Sequence, residues 1–239
     1  MNIFLDLETI PAQPEDTIKA EISKNINAPA TMSKPETIQD WHEGKGKYVG
    51  AKDAAIEKAY RDTSFNGAEG RIISAAFATE TSKPVALSGD YQSNDEPKII
   101  NWLFGSIAEL LKKQKHSTQP FFIGQFVAGF DLKFLFHRCV ILGIKPPFPL
   151  PFNGRHGKDF YCTQQAWAGF GGRMSQDNLC KALGIKGKPD DIDGSKVWDF
   201  VKAGKVERVA EYNCDDVEKV RAIYQRINFI KPHKEIKAA

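Results

Sequence analysis

Residues 2–7 read NIFLDL, and residue 8 is glutamate. A short apolar run of this kind, bounded by charge, predicts a buried β-strand at the very start of the chain. In a strand, residues two apart point to the same face, so Asp6 and Glu8 project together where the run ends. Like charges brought together and withdrawn from water repel one another, and each carries a desolvation cost. Such a pair calls for a nearby cation or a shifted pKa. The ordinary alternative is an acidic strand end that simply reaches solvent.

The rest of the chain builds on that strand. Residues 71–79 (RIISAAFAT) and 84–88 (PVALS) predict two strands joined by a turn at Lys83-Pro84. An amphipathic helix is expected over about 95–113, with Ile99, Leu103, Ile107, Leu110 and Leu111 on one side. Residues 120–125 (PFFIGQ) predict another buried strand, and a helix starts near Asp131 and stops before Gly143. A last strand at 158–162 and helices at about 175–183, 195–203 and 205–227 follow. This order predicts an α/β fold, a mixed sheet with helices on both faces. Residues 11–70 have a different texture, broken by Pro11, Pro14, Pro29 and Pro35 and by five glycines from Gly44 to Gly70. They are expected to form a partly helical insertion in a single domain spanning 1–239, with residues 51–62 as their recognisable helix. A structureless loop of that length is uncommon, so further short helices and a role as lid, partner surface or dimer contact are expected.

Composition excludes several classes. With 41% hydrophobic and 26% charged residues, the chain is neither disordered nor collagen-like. Apolar runs are too short for a membrane span, and Asp6 interrupts any apolar leader core. A protein of the cytoplasm with no membrane partner is expected. Cys139, Cys162, Cys180 and Cys214 are scattered, which predicts reduced thiols rather than a zinc knuckle. The net charge of +3 leans mildly toward anionic partners.

Two more acids stand out. On a helical projection from Val206, the inward stripe holds Val206, Val209, Ala210, Asn213, Val217, Val220 and Tyr224, while Asp215 faces water. Asp216 falls on the flank of that stripe, with Tyr212 one turn above it. Asp131 follows Phe130 at a strand-to-helix turn; its ordinary role there is a helix cap. Four carboxylates from three distant segments, each at an element end, share one explanation: a hard-cation site of oxygen ligands suited to Mg²⁺ or Mn²⁺. The five histidines show no ligand spacing.

Asp6-x-Glu8, Phe130-Asp131 and Tyr212-x-x-x-Asp216 resemble the three motifs of the DEDD (DnaQ-like) 3′–5′ exonucleases. The tyrosine four residues before the last aspartate is similar to the DEDDy branch, which includes polymerase proofreading domains and RNase D. Position 211, where the other branch has histidine, is Glu211. The stretches Asp6 to Pro11, Ala28 to Ala30, Lys34 to Ile38 and Asp193 to Trp198 further resemble a stand-alone bacterial and phage group related to the exonuclease domain of family B DNA polymerases. One departure is Phe126, with Gln125 before it, where the second motif usually has asparagine.

The resemblance implies a ribonuclease H-like fold. It also implies a metal-dependent 3′–5′ exonuclease that releases nucleoside 5′-monophosphates from the 3′ end of single-stranded DNA. RNA trimming, or a non-catalytic nucleic-acid-binding role beside replication or repair proteins, are the alternatives. Two Mg²⁺ or Mn²⁺ ions would be held by Asp6, Glu8, Asp131 and Asp216, with Asp131 acting by way of waters and Tyr212 orienting the nucleophile. The backbone near Leu7 and Thr9 would receive the terminal sugar. Leaving out the four acids, 33 basic residues face 26 acidic ones, a net of +7. Lys186, Lys188, Arg155, Lys158, Lys45 and Lys47 lie in glycine-containing loops suited to tracking phosphates. Phe126 and Phe152 are candidates to stack a base, whereas Phe130 is expected in the core. Lys112, Lys113 and Lys115 are expected to end a helix favourably.

Overall fold

The computed structural model describes residues 1–113, 119–187 and 189–231. The chain divides into two compact units, Met1–Thr9 with Ile72–Ala239, and Ile10–Arg71.

The larger unit is built on a five-stranded sheet in the order β3-β2-β1-β4-β5. Its strands are β1 (Asn2–Ile10), β2 (Arg71–Ala78), β3 (Val85–Ser88), β4 (Phe121–Gly124) and β5 (Phe160–Cys162). β1 runs parallel to β4, and β4 parallel to β5, while β2 and β3 form an antiparallel hairpin. β1 continues three residues beyond the expected stretch, because Ile10 is as fully buried as Ile3 and the extended backbone persists. Asp6 and Glu8 therefore lie inside the strand rather than at its end.

The alternation of β1 decides what each face meets. Ile3, Leu5 and Leu7 join the large apolar cluster with Ile99, Leu103, Leu132 and Leu135, whereas Phe4 packs on the opposite face with Val217 and Val220. Those residues come from α4 (Glu96–Lys113), α5 (Asp131–Leu142) and α9 (Val206–Ile227), the last numbered in chain order after the helices given next. Burying a side chain of this kind contributes roughly 1.5–3 kcal/mol. Asp6 and Glu8 share the parity of Phe4, so packing that apolar face against α9 carries both acids toward α9. The remaining helices of this unit are α6 (Thr163–Ala168), α7 (Gln176–Leu183) and α8 (Val197–Lys202).

Residues 10–71 hold α1 (Glu15–Asn25), α2 (Pro35–Glu43) and α3 (Ala51–Asp62). Of these only α3 has a distinct helical pattern in the sequence. Prolines that punctuate the stretch instead stand at helix starts: Pro14 is the N-cap of α1 and Pro35 opens α2. α1 buries no residue completely, so it leaves no apolar stripe to read. The unit's own centre is Tyr60, fully buried, whose hydroxyl accepts from Gln13 Nε2 at 2.9 Å.

No disulfide joins the cysteines among the described residues. No helix among them is long and apolar enough to cross a membrane.

Candidate active site

Register explains how the acids meet. Phe4 pairs with Ile123, and β4 ends one residue later at Gly124. From Asp6 onward β1 thus runs past the end of β4, beside the turn that leads to Asp131. The approach is close: a Cβ on Gly124 would sit 2.9 Å from the Leu5 carbonyl oxygen and 2.8 Å from Val127 Cβ. Only glycine fits there. This is the crevice beyond the carboxyl ends of parallel strands, where α/β sheets place their functional groups.

Asp6, Glu8 and Asp216 each offer a carboxylate oxygen within 4.8 Å of the others. Glu8 and Asp216 are buried and Asp6 is half-buried. Desolvation raises the Asp6 carboxyl well above its ordinary range, and the charges of Glu8, Asp131 and Asp216 push it further. Asn213 Nδ2 donates to Asp6 Oδ2 at 2.6 Å and is itself held by Ser74 Oγ, which donates to Asn213 Oδ1 at 2.9 Å.

Asp131 lies beside this trio and acts on Asp6 through its charge, without completing the three-fold cluster. It is 2% exposed, and Oδ1 accepts the Leu7 backbone N–H at 3.0 Å. Burial lifts its carboxyl to about 7. The ordinary alternative of a helix cap does not apply to it, since Phe130 occupies the N-cap position and Asp131 is the first residue of α5. Its oxygen is drawn across to β1 instead. Leu7 is buried in the core, and its N–H is engaged by this contact. Thr9 is half-buried on the same strand.

Tyr212 is 2% exposed, and burial, with the charges of Glu8 and Asp216, pushes its phenol far up. It therefore holds its proton throughout the neutral range. Tyr212 and Asp216 do not sit on the margin of a narrower buried stripe. Tyr212, Asp216, Lys219 and Ile223 form a second buried line along α9 beside Val209, Asn213, Val217 and Val220. Val206, Ala210 and Tyr224, expected inward, are only half-buried, and Asp215 is exposed as expected. The hydrophobic projection misses the second line because two of its four members are charged.

Lys219 is the residue that sequence reasoning missed. Its Nζ donates to Asp216 Oδ1 at 2.8 Å, with both side chains buried. The available signal was its spacing, three residues after Asp216 and seven after Tyr212.

Phe126 stands where the second motif usually has asparagine. Its φ of 59° is a left-handed value that asparagine tolerates and a bulky residue rarely adopts. The ring is 49% exposed and lies over Gly129, where an added Cβ would sit 2.3 Å from it. Gln125 does not replace the missing amide: its Nε2 donates to the Met174 carbonyl at 2.7 Å, and its Oε1 accepts from Thr163 Oγ1. Phe126 lines a cavity of about 650 Å³ with Gln164, Phe170 and Arg173. Phe130 packs against the core as expected, and Phe152 is half-buried against Phe136, ring centres 5.0 Å apart. Lys186, Arg155 and Lys158 are exposed, Lys45 is paired with Glu43 at 2.5 Å, and Lys47 lies over the Tyr48 ring. Lys112 and Lys113 close α4, while Lys115 and Lys188 lie outside the described residues.

A mixed five-stranded sheet flanked by helices, with acids gathered where β1 runs past the end of β4, defines an α/β fold of the ribonuclease H-like class. Comparison with known proteins narrows the class. The chain belongs to a family described as predicted 3′–5′ exonucleases related to the exonuclease domain of PolB, whose profile matches residues 70–237. That span contains Asp131, Tyr212, Asp216 and Lys219; Asp6 and Glu8 precede it. No curated protein matches the chain in sequence. Among solved structures, the family B DNA polymerase from the hyperthermophilic archaeon Pyrobaculum calidifontis is similar, with a TM-score of 0.56 and 13% identity. The similarity covers 95% of this chain and 24% of that polymerase chain, and at this identity it speaks for the fold.

Proposed function

We propose that this chain is a metal-dependent 3′–5′ exonuclease of the DEDDy kind, acting on the 3′ end of single-stranded DNA and releasing nucleoside 5′-monophosphates. Residues 1–239 would serve as one such domain, with about 11–70 as an insertion. What carries this reading is the convergence of Asp6, Glu8 and Asp216, with oxygens within 4.8 Å of one another although Asp216 is more than two hundred residues from the other two.

The donor set fits two hard divalent ions, Mg²⁺ or Mn²⁺. It offers carboxylate oxygens only, crowded enough that their mutual repulsion favours a bound cation. Asp6, Glu8 and Asp216 would hold the ions, with Asp131 contributing from beside them. When bound, such ions supply Lewis-acid activation of water and neutralise charge developing on the scissile phosphate. The chain's own residues do the rest. Tyr212 keeps its proton, so it acts as a donor that orients the attacking group rather than as a base. Asn213 holds one oxygen of Asp6, and the Leu7 N–H holds one oxygen of Asp131, so these carboxylates are aimed before substrate arrives. Phe126 offers an exposed ring for a base near the 3′ end, and Arg173, across the same cavity, suits a phosphate. Thr9 and the backbone around Leu7 would receive the terminal sugar, with Lys186 and Lys188 along the strand.

The test is hydrolysis of matched 3′-labelled DNA and RNA single strands with Mg²⁺ and with EDTA. Stepwise shortening of DNA from the 3′ end, abolished by EDTA, is expected. Equal or faster shortening of RNA would make the enzyme an RNA trimmer. Binding without cleavage would make it an accessory domain.

A further inference from the structure

Asp216 does not enter the cluster as a bare carboxylate. Lys219, three residues further along α9, sits over it with Nζ 2.8 Å from Oδ1. Lys219 is only 7% exposed, and its Nζ lies 5.8 Å from the centre of the Tyr212 ring. Holding an ammonium out of water costs several kcal/mol unless a charge meets it. An ordinary alternative existed: Asp215 lies four residues before Lys219, the favourable acid-before-lysine spacing for an exposed helix pair. Asp215 is exposed, yet Lys219 turns inward to the buried acid. The charges acting most strongly on nearby Asp6 are all negative, from Glu8, Asp131 and Asp216. Lys219 thus brings a positive charge into a strongly acidic neighbourhood.

We propose that Lys219 is the resident counter-charge of the carboxylate cluster: its ammonium holds Asp216 in place before a divalent ion arrives and competes with that ion for the same carboxylate. The inference rests on the metal reading given above and assigns the residue that sets how tightly metal is held. Lys219 acts through Asp216 and is a positioning residue. Two consequences follow from the charges. Without the ammonium, the metal-free cluster has less to offset its repulsion and the empty protein is weakened. With metal bound, removing the ammonium removes a repulsion between near neighbours, so affinity rises. Even at an effective dielectric of about 20, repulsion between adjacent single and double charges is worth a change of about tenfold or more in affinity.

The experiment compares full-length wild type, Lys219→Met and Lys219→Arg. Mn²⁺ dissociation constants are read from the EPR signal of the free ion, and melting temperatures are measured in EDTA and at saturating Mn²⁺. Lys219→Met should bind Mn²⁺ about tenfold or more tightly, melt below wild type in EDTA, and lose that deficit when Mn²⁺ saturates. Lys219→Arg, which keeps the charge, should stay within about threefold of wild-type affinity. If Lys219→Met does not fold, Lys219→Gln carries the same expectations. Unchanged or weaker Mn²⁺ binding by the uncharged variant overturns the proposal. So does a melting deficit of equal size with and without Mn²⁺, the mark of a packing residue. Absence of Mn²⁺ binding by wild type overturns the metal reading itself, a separate and recognisable failure.

Discussion

Carboxylates in the two units of this molecule meet opposite fates. In residues 10–71, Glu15 and Glu57 both pair with Lys19 at 2.5 Å, and Glu57 also meets Arg61 at 2.6 Å. These side chains are about a quarter to a third exposed, and the hydrogen bond from Lys19 pulls the Glu57 carboxyl below its ordinary range. Where β1 outruns the end of β4, Asp6, Glu8 and Asp216 crowd one another, and the Asp6 carboxyl is driven upward. The first arrangement is local charge matching on helices α1 and α3. The second is imposed by hydrophobic packing: Phe4 of β1 must meet Val217 and Val220 of α9, and the acids are carried along. A conflict between local electrostatics and global packing is what a functional site looks like when the rest of the chain is consistent.

The sharpest way to break this contrast is to remove an acid from the crowded set. Asp6→Ala and Asp216→Ala should each lower 3′–5′ hydrolysis by ~10³-fold or more, with unchanged far-UV circular dichroism. Asp6→Asn should go further in one respect and melt above wild type in EDTA, because it relieves repulsion. Residual activity within tenfold of wild type in either alanine variant would place the chemistry elsewhere.

A buried acid that is fully matched should behave in the opposite sense. Glu96, 3% exposed, receives Arg138 through Nε and Nη2 at 2.8 Å each, and Oε1 also accepts the Ile72 N–H at 2.8 Å. Glu96→Ala leaves a guanidinium and a backbone donor buried without this acceptor, and should lower stability by about 3–5 kcal/mol in urea unfolding.

Proton dependence separates the two kinds of acid without mutation. Asp6 is raised, and Asp131 is raised to about 7. The folded, metal-free protein therefore holds protons that the unfolded chain releases near pH ~4. The stability from these two groups is complete below that range and is lost as pH rises through their raised folded-state range, which for Asp131 lies at about 7. Melting temperatures in EDTA should fall across this window, and saturating Mg²⁺ should flatten the decline. A flat profile in EDTA would show that the crowded acids are not held as described.

The smallest effect belongs to the exposed pairs. Glu57→Gln should change stability by less than about 1 kcal/mol, and less again in 1 M salt. A larger loss would mean that the small unit depends on its ion pairs as heavily as the sheet unit depends on Glu96.

Most strand and helix positions in the sheet unit were legible because each carries its own period. The runs at Arg71–Ala78, Glu96–Lys113 and Asp131–Leu142 lie within a residue or two of where alternation, amphipathicity and glycine stops put them. α1 and α2 were not, since α1 buries no residue, α2 buries only Trp41, and their prolines mark helix starts as well as loops. Asp6 and Glu8 were recognisable as a same-face pair, and Tyr212 and Asp216 as a one-turn pair, from spacing alone. By contrast, the left-handed turn at Phe126 had no local signature, and Lys219 shared its spacing from Asp216 with any exposed helix lysine.

By itself the sequence determined which residues carry charge, which faces are apolar and which acids share a face, because those properties repeat within a few residues. Tertiary structure alone decided that β1 outruns β4, that Asp131 reaches the Leu7 N–H, and that Lys219 turns inward to meet Asp216. Those outcomes depend on which distant surfaces exclude water from one another, and that is settled when the sheet and α9 pack together.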